Sequence, residues 1–129
     1  MASVYLIRGE DMKFISLMAI LLSAQALGQT SKTPYSEDLA AKGKPLYQTN
    51  CAVCHGEKGE GGKLPTTPAP RNLQTDAFTQ GDSLEAIEAT IKHGYKANPV
   101  MRPFEELKDE QIAQIAHYVK KLQAEAKKK

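Results

Sequence analysis

The chain of 129 residues contains no tryptophan, only two cysteines and few aromatic residues, which make up 6% of it. Two cysteines are too few for a disulfide-built scaffold or for a zinc site with four cysteine ligands. The 17 basic and 15 acidic residues nearly balance, and no basic block is interleaved with aromatic residues, so the composition gives nucleic-acid binding little support. The apolar fraction of 41% is ordinary for a folded protein, and the length suits one small domain.

The N-terminal region has the pattern of a secretory signal peptide. Lys13 precedes an apolar run over residues 14–22, and small residues follow at Ala24, Ala26 and Gly28. The run is shorter than the roughly 20 residues that a membrane-spanning helix needs, so an uncleaved anchor is the less favoured alternative. We therefore expect cleavage at or near Gly28.

This pattern predicts an exported, soluble protein, placed in the periplasm or an equivalent compartment. Once the signal is removed, we expect no stable membrane insertion, and we expect a monomer. The predicted segments are an N-terminal extension with the signal peptide, a polar linker, one folded domain and a basic tail, at residues 1–28, 29–35, 36–124 and 125–129.

Helical periodicity dominates the remaining sequence, and no alternating run is long enough to predict a strand. Ser36 offers an N-cap for a first helix, in which Pro45 should cause a kink or a restart. A capping-box pattern from Asp82 to Glu85 predicts a second helix that ends near Gly94. A third helix should start near Asp109, which is the candidate N-cap residue. The sequence therefore predicts an all-α fold with three main helices and long proline-containing loops.

The segment from Cys51 to His55 reads C-x-x-C-H, the attachment signature of c-type haem. Two thiols separated by two residues can reach the two vinyl groups of one porphyrin edge from a single turn. The histidine that follows directly then lies under the iron and supplies a nitrogen ligand. Cys51, Cys54 and His55 are therefore predicted to hold one covalently bound haem c.

Three other interpretations of this motif have less support. A thioredoxin-like dithiol needs a strand before the motif, whereas the preceding segment has helical periodicity. A zinc site needs two further ligands at metal spacing, and His93 and His117 are too far apart to supply them. A plain disulfide in an exported protein explains neither His55 nor the later methionine.

The second axial ligand is predicted to be Met101. The other methionines lie within the predicted leader region, and prolines at 99 and 103 stiffen the backbone around Met101. A methionine that merely fills the core is the alternative use. His93 is the competing ligand, although a surface histidine explains it as well. His117 faces away from the apolar stripe of its helix and is expected to be exposed to solvent.

With these residues in view, the sequence resembles the class I cytochrome c family from Ser36 to Leu122. Gly43 and Tyr118 match the positions where the first and last helices of that family cross. The resemblance implies that helices and loops wrap one haem. It also implies that the Pro70 carbonyl, or that of Pro68, accepts the proton of the proximal histidine, and that Leu73 packs on the haem face.

The resemblance and the two axial ligands imply an electron carrier rather than an enzyme, cycling between Fe(II) and Fe(III) and serving redox protein partners. The alternatives are an electron-transfer subunit of an exported oxidoreductase complex and, with less support, a haem enzyme or sensor with an open sixth site.

Five cations near the haem-related segments could form a docking ring for acidic partners, although a mixed solvated surface is the simpler interpretation. They are Lys58, Lys63, Lys92, Lys96 and Arg102.

Overall fold

The computed structural model describes residues 33–129, which form helices joined by long loops and contain no strand. The predicted signal peptide, and the linker up to residue 32, lie outside the described residues. The prediction of an all-α fold with three main helices is confirmed, and a fourth helix of one turn is added. The helices are α1 (Glu37–Asn50), α2 (Ala52–His55), α3 (Leu84–His93) and α4 (Asp109–Ala126). None of these helices is both long and apolar enough to cross a membrane.

Individual residues explain where helix α1 begins and why it continues past Pro45. Ser36 is the N-cap, and its hydroxyl oxygen accepts a hydrogen bond from the Leu39 N–H at 3.3 Å. The helix continues through Pro45, so the expected restart there is wrong. Pro45 is exposed, and so is Ala41, whose carbonyl loses its helical partner to the proline. Water can therefore supply the missing donor, and the helix survives.

The caps of α3 and α4 each differ by one residue from the predicted ones. Ser83, not Asp82, caps α3, and its hydroxyl accepts from the Ala86 N–H at 3.1 Å. Lys108 is the N-cap residue of α4, and the Gln111 side chain accepts the Lys108 N–H at 3.0 Å. Asp109 is thus the first residue of the helix and not its cap. Its charge still lies in the first turn, where the helix dipole favours it.

The crossing of α1 and α4 depends on Gly43. A Cβ at this position would overlap the carbonyl group of Gln114 and lie 3.0 Å from the Ile115 nitrogen. The absence of a side chain therefore lets the two backbones touch, as the resemblance to class I cytochromes c implied. Tyr47 and Tyr118 pack beside the crossing with ring centroids 5.1 Å apart.

The hydrophobic core lies where α1 and α3 each pack against α4. It combines the predicted apolar stripes of α3 and α4 with two tyrosines, and Phe78, Phe104 and Leu73 from the loops pack against it. Its buried members are Tyr47, Leu84, Ile87, Ile91, Ile112, Ile115, Ala116, Tyr118, Val119 and Leu122.

Tyr47 fixes the loop that follows the C-x-x-C-H motif. Its side chain is fully buried, and its hydroxyl donates to the Gly56 carbonyl at 2.8 Å. The change Tyr47→Phe should lower the free energy of unfolding by about 1 kcal/mol, because the Gly56 carbonyl loses one of its two donors and keeps the Gly59 N–H at 3.1 Å. Chemical denaturation measures this loss. Tyr95→Phe is the control, since the hydroxyl of Tyr95 is bonded to Thr79 in an exposed position. Equal losses in the two variants would contradict this role.

His117 is buried, contrary to the sequence-based expectation. It is 1% exposed because Tyr35 and the start of α1 cover it, with ring centroids of Tyr35 and His117 5.8 Å apart. Its Nδ1 accepts the Ser36 N–H at 3.1 Å, so the hydrogen of the neutral ring is on Nε2. This Nε2 is buried and has no partner among residues 33–129. The helical periodicity of α4 did not reveal this contact, which comes from the segment before α1.

Burial lowers the pKa of His117 below its ordinary value of 6.5. The unfolded chain then binds more protons than the folded one between the lowered pKa and 6.5. Stability is therefore fully present above about pH 6.5 and falls as the pH drops towards the folded-state pKa. His117→Asn keeps an acceptor for Ser36 and cannot titrate. In denaturation experiments between about pH 7 and pH 5, its stability should depend less on pH than that of the parent. Parallel pH profiles would contradict the assignment.

Candidate functional site

A cavity of about 540 Å³ lies between the helices and the two long loops. The buried side chains of Ile87, Ile91, Ile115 and Val119 form part of its wall, so the apolar stripes of α3 and α4 serve the core and the cavity together. Its size and largely apolar lining are those of a small-molecule or cofactor site. All six predicted site residues line it: Cys51, Cys54, His55, Pro70, Leu73 and Met101.

The single turn α2 places both cysteines and the histidine at this cavity. Cys51 is its N-cap residue, Cys54 lies within the turn, and His55 is its last residue. Both cysteines are half-buried and carry free thiols. Burial, with a smaller contribution from Cys54, raises the pKa of Cys51 to about 12. The thiol therefore stays protonated at neutral pH in the folded polypeptide.

The orientation of His55 follows from one hydrogen bond. Its Nδ1 lies 2.9 Å from the Arg71 carbonyl oxygen, which can only accept, so Nδ1 carries the hydrogen. Burial is the main cause that lowers the pKa of His55, and the nearby charge of Arg71 adds to it. The ring is thus neutral, with the lone pair of Nε2 free to bind a metal.

The carbonyl at His55 belongs to Arg71 and not to Pro70 or Pro68, which corrects the sequence-based assignment by one residue. The Pro70 carbonyl is turned the other way and accepts the Gly62 N–H at 2.9 Å. The Leu73 N–H donates to the Gly59 carbonyl at 2.7 Å, so the segment is tied to the glycine-rich loop on both sides of Arg71. Pro70 remains in the lining of the cavity, where its role towards a cofactor stays a prediction.

Met101 is held in its loop by backbone hydrogen bonds. Its carbonyl accepts the Tyr95 N–H at 2.9 Å, and its own N–H donates to Asn98 at 3.1 Å. The Phe104 N–H donates to the Ile91 carbonyl at 3.1 Å, which ties the end of the loop to α3. The side chain of Met101 is half-buried and lines the cavity, whereas His93 is exposed and does not line it. The geometry therefore favours Met101 over His93 as a second ligand.

The donor set around the cavity fits a haem. Two thiols, an imidazole with a free Nε2 and a thioether surround one mostly apolar space, and these groups match two covalent tethers and two axial ligands. No group of three or more His, Cys, Asp or Glu residues in the described part of the chain has the arrangement of a metal site.

Sequence reasoning missed several residues of this site. The Arg71 carbonyl could not be found, because any residue can supply a backbone carbonyl and its side chain carries no signal. Phe78, Tyr95 and Phe104 also line the cavity. One indication of them was present in the sequence: they are aromatic residues in proline-containing loops, and such long loops must pack against another part of the protein or against a cofactor.

Comparisons with known proteins agree with this geometry. A family model described as "Cytochrome C oxidase, cbb3-type, subunit III" matches residues 38–119. The cbb3-type cytochrome c oxidase subunit FixP of Bradyrhizobium sp. (strain ORS 278) is 32% identical over 95% of this chain and 41% of that protein. FixPc of Rhizobium leguminosarum bv. viciae is 36% identical over 69% of this chain and 32% of that protein.

The third relative is a short protein, and the alignment with this chain covers almost all of it. Cytochrome c6 of Leptolyngbya boryana is 36% identical over 64% of this chain and 89% of that protein. The chain thus spans well under half of the two oxidase subunits but nearly the whole of a small cytochrome. The chain belongs to the family described as cytochrome C oxidase, cbb3-type, subunit III, and it is a class I mono-haem c-type cytochrome with covalently attached haem c.

Proposed function

We propose that this protein is an exported one-electron carrier whose haem would be held in the cavity by His55 and Met101. When bound, the haem supplies an Fe(II)/Fe(III) couple. The single observation that carries the proposal is that the two thiols of α2, His55 and Met101 all line one apolar cavity.

Each of these residues has a distinct task in the proposal. Cys51 and Cys54 would hold the haem covalently through two thioether bonds. His55 would bind the iron through Nε2, and the Arg71 carbonyl keeps the ring in the required tautomer. Met101 would supply its thioether from a loop tied to Tyr95 and α3. The apolar wall excludes water, and the thioether favours the reduced iron.

The location is part of the same proposal. The signal-like pattern of residues 13–28 supports export, and the similarity to cytochrome c6 supports a small carrier that acts between redox proteins.

The second candidate function is an electron-transfer subunit or segment of a cbb3-type oxidase, which the similarity to FixP favours. A free carrier should purify from its host without oxidase subunits, whereas the second candidate predicts that they purify together.

Covalent attachment is tested on protein produced with haem-maturation machinery. Acid–acetone extraction should leave the haem on the chain, and the pyridine haemochrome spectrum should indicate two thioether bonds. Cys51→Ala and Cys54→Ala should each shift that spectrum towards a single thioether, and the double variant should release its haem on extraction. Val53→Ala, between the cysteines, is the control that keeps both bonds. Colourless parent protein, or haem extracted from it, would refute the proposal.

A further inference from the structure

The segment from Thr33 to Ser36, directly before α1, is bonded to both α3 and α4. The Thr33 N–H donates to the Glu85 carboxylate of α3 at 2.9 Å, and the Ser36 N–H donates to Nδ1 of His117 in α4 at 3.1 Å. Between these two bonds, the Tyr35 ring packs against the His117 ring, with the ring centroids 5.8 Å apart. We refer to residues 33–36 as the strap. Neither the strap nor the two side chains that hold it line the cavity.

The two attachments of the strap differ in burial. The bond to Glu85 is exposed, so water competes for both of its groups and it contributes little to holding the strap. His117 is 1% exposed, and its bond to Ser36 is partly buried. The first three residues of the strap are themselves exposed. Attachment of the strap therefore depends mainly on His117.

His117 can accept the Ser36 N–H only while its ring is neutral. Protonation would place a hydrogen on Nδ1, so that two donors would face each other across 3.1 Å. The hydrogen on Nε2 is buried and has no partner in the described part of the chain. The charged ring would thus be buried without an acceptor for either N–H, which is a costly state. Opening the strap relieves this cost, because both ring nitrogens then reach water.

The other titratable groups around this contact keep their charge state between about pH 5 and pH 7 where their pKa is shifted. Burial raises the pKa of Tyr35 to about 12, and hydrogen bonds to backbone N–H groups lower that of Glu85 to about 2. The ion pair of Glu37 with Lys121 lowers the pKa of the carboxyl and raises that of the ammonium. Burial is the cause of the lowered pKa of His117. The titratable groups on the elements around His117 are Tyr35, Glu37, Glu85, Lys121, Glu125 and Lys128.

We propose that the strap is a pH-sensitive fastening, which stays on α3 and α4 while His117 is neutral and detaches when His117 binds a proton. Detachment is a local opening, because the strap contributes no side chain to the hydrophobic core. Four released residues add up to about 14 Å to the reach of the chain that precedes α1. The pH of the surroundings would therefore set how closely that part of the chain is held to the domain.

The test measures amide hydrogen exchange by NMR in the reduced, isotope-labelled holoprotein. The Ser36 N–H is the direct reporter, because its acceptor is His117 itself. Its protection factor, corrected for the intrinsic exchange rate, should fall about tenfold between pH 7.5 and pH 5, since the open form binds a proton with the ordinary histidine pKa of about 6.5. In His117→Asn, which cannot titrate, the protection of Ser36 should not depend on pH. His93→Asn removes an exposed histidine of α3 and is the matched control, which should keep the pH dependence of the parent.

A second measurement on the parent alone separates local opening from global unfolding. About 1 M urea should leave the exchange of the Ser36 amide unchanged, because opening the strap exposes little surface. It should accelerate exchange of the Ile115 amide, which lies in the core of α4 and needs a larger unfolding event. This comparison does not require any variant to fold.

Three outcomes would overturn the inference. Protection of Ser36 that does not change between pH 7.5 and pH 5 in the parent would mean that His117 does not control the strap. A pH dependence that persists in His117→Asn would assign the control to another group. Equal acceleration of Ser36 and Ile115 by urea would mean that the strap opens only when the whole domain unfolds. Absence of bound haem would count against the proposed function and not against the strap, because no residue of the strap lines the cavity.

Discussion

Replacing Gly43 with alanine should lower the free energy of unfolding by about 3 kcal/mol or more. The added Cβ would overlap the Gln114 carbonyl and lie 3.0 Å from the Ile115 nitrogen, both of which are backbone groups that no rotamer change can move. Helices α1 and α4 would have to separate. The better helix propensity of alanine would offset only about 1 kcal/mol of this cost.

The same change should also disturb the cofactor site. Helix α1 leads directly into Cys51, and α4 supplies Ile115 and Val119 to the wall of the cavity, so separating these helices widens it. Urea denaturation of the holoprotein measures the loss of stability, and the absorption spectrum reports the site. Lys44→Ala, at an exposed position of the same helix, is the control and should change stability by less than about 0.5 kcal/mol.

Because the obstacle at Gly43 is backbone, a second change should not repair it. Gly43→Ala combined with Gln114→Ala should be no more stable than Gly43→Ala alone, since the Gln114 side chain is not what the Cβ meets. Recovery in this double variant, or a loss no larger than that of Lys44→Ala, would mean that the helices do not touch at this point.

The features that sequence reasoning predicted well depend on short-range pattern or on a chemical motif. The stripes of α3 and α4 repeat at helical spacing, so their residues had to share one buried face. The C-x-x-C-H motif predicted the cofactor class, and the three residues that it names all line one cavity. The resemblance to class I cytochromes c implied that Gly43 lies at a helix crossing, and its lack of a side chain explains why glycine fits there.

The features that were missed depend on contacts between distant segments. His117 was expected to be exposed because only its own helix was considered, whereas Tyr35 and Ser36 cover it from the other end of the domain. The Arg71 carbonyl was missed because the loop path around it is set by hydrogen bonds to Gly59 and Gly62. Ser83 displaced Asp82 as a cap because adjacent residues can both act as acceptors, and sequence alone does not choose between them.

Removing the thioether of Met101 should convert the carrier into a protein that binds external ligands. The loop from Tyr95 to Phe104 keeps its backbone hydrogen bonds in Met101→Ala, because these involve main-chain atoms only. The variant should therefore stay folded while the sixth position loses its ligand. We expect the methionine-to-ferric-iron absorption band to disappear and the midpoint potential to fall, since a thioether favours the reduced state.

Carbon monoxide binding measures the same change kinetically. Carbon monoxide can bind only while Met101 is off the iron. A Met101–iron interaction of only about 1.4 kcal/mol would already reduce the population of that open form about tenfold. Association should therefore be at least about tenfold faster in Met101→Ala than in the parent. His93→Ala is the control and should behave like the parent, because His93 is exposed and outside the cavity lining. If the parent already binds carbon monoxide as fast as the variant, the sixth site is open, and a haem enzyme or sensor becomes the better interpretation. If the parent lacks this band and carbon monoxide binding becomes faster in His93→Ala instead, the ligand is His93 and not Met101, although the cavity and its two tethers would stand.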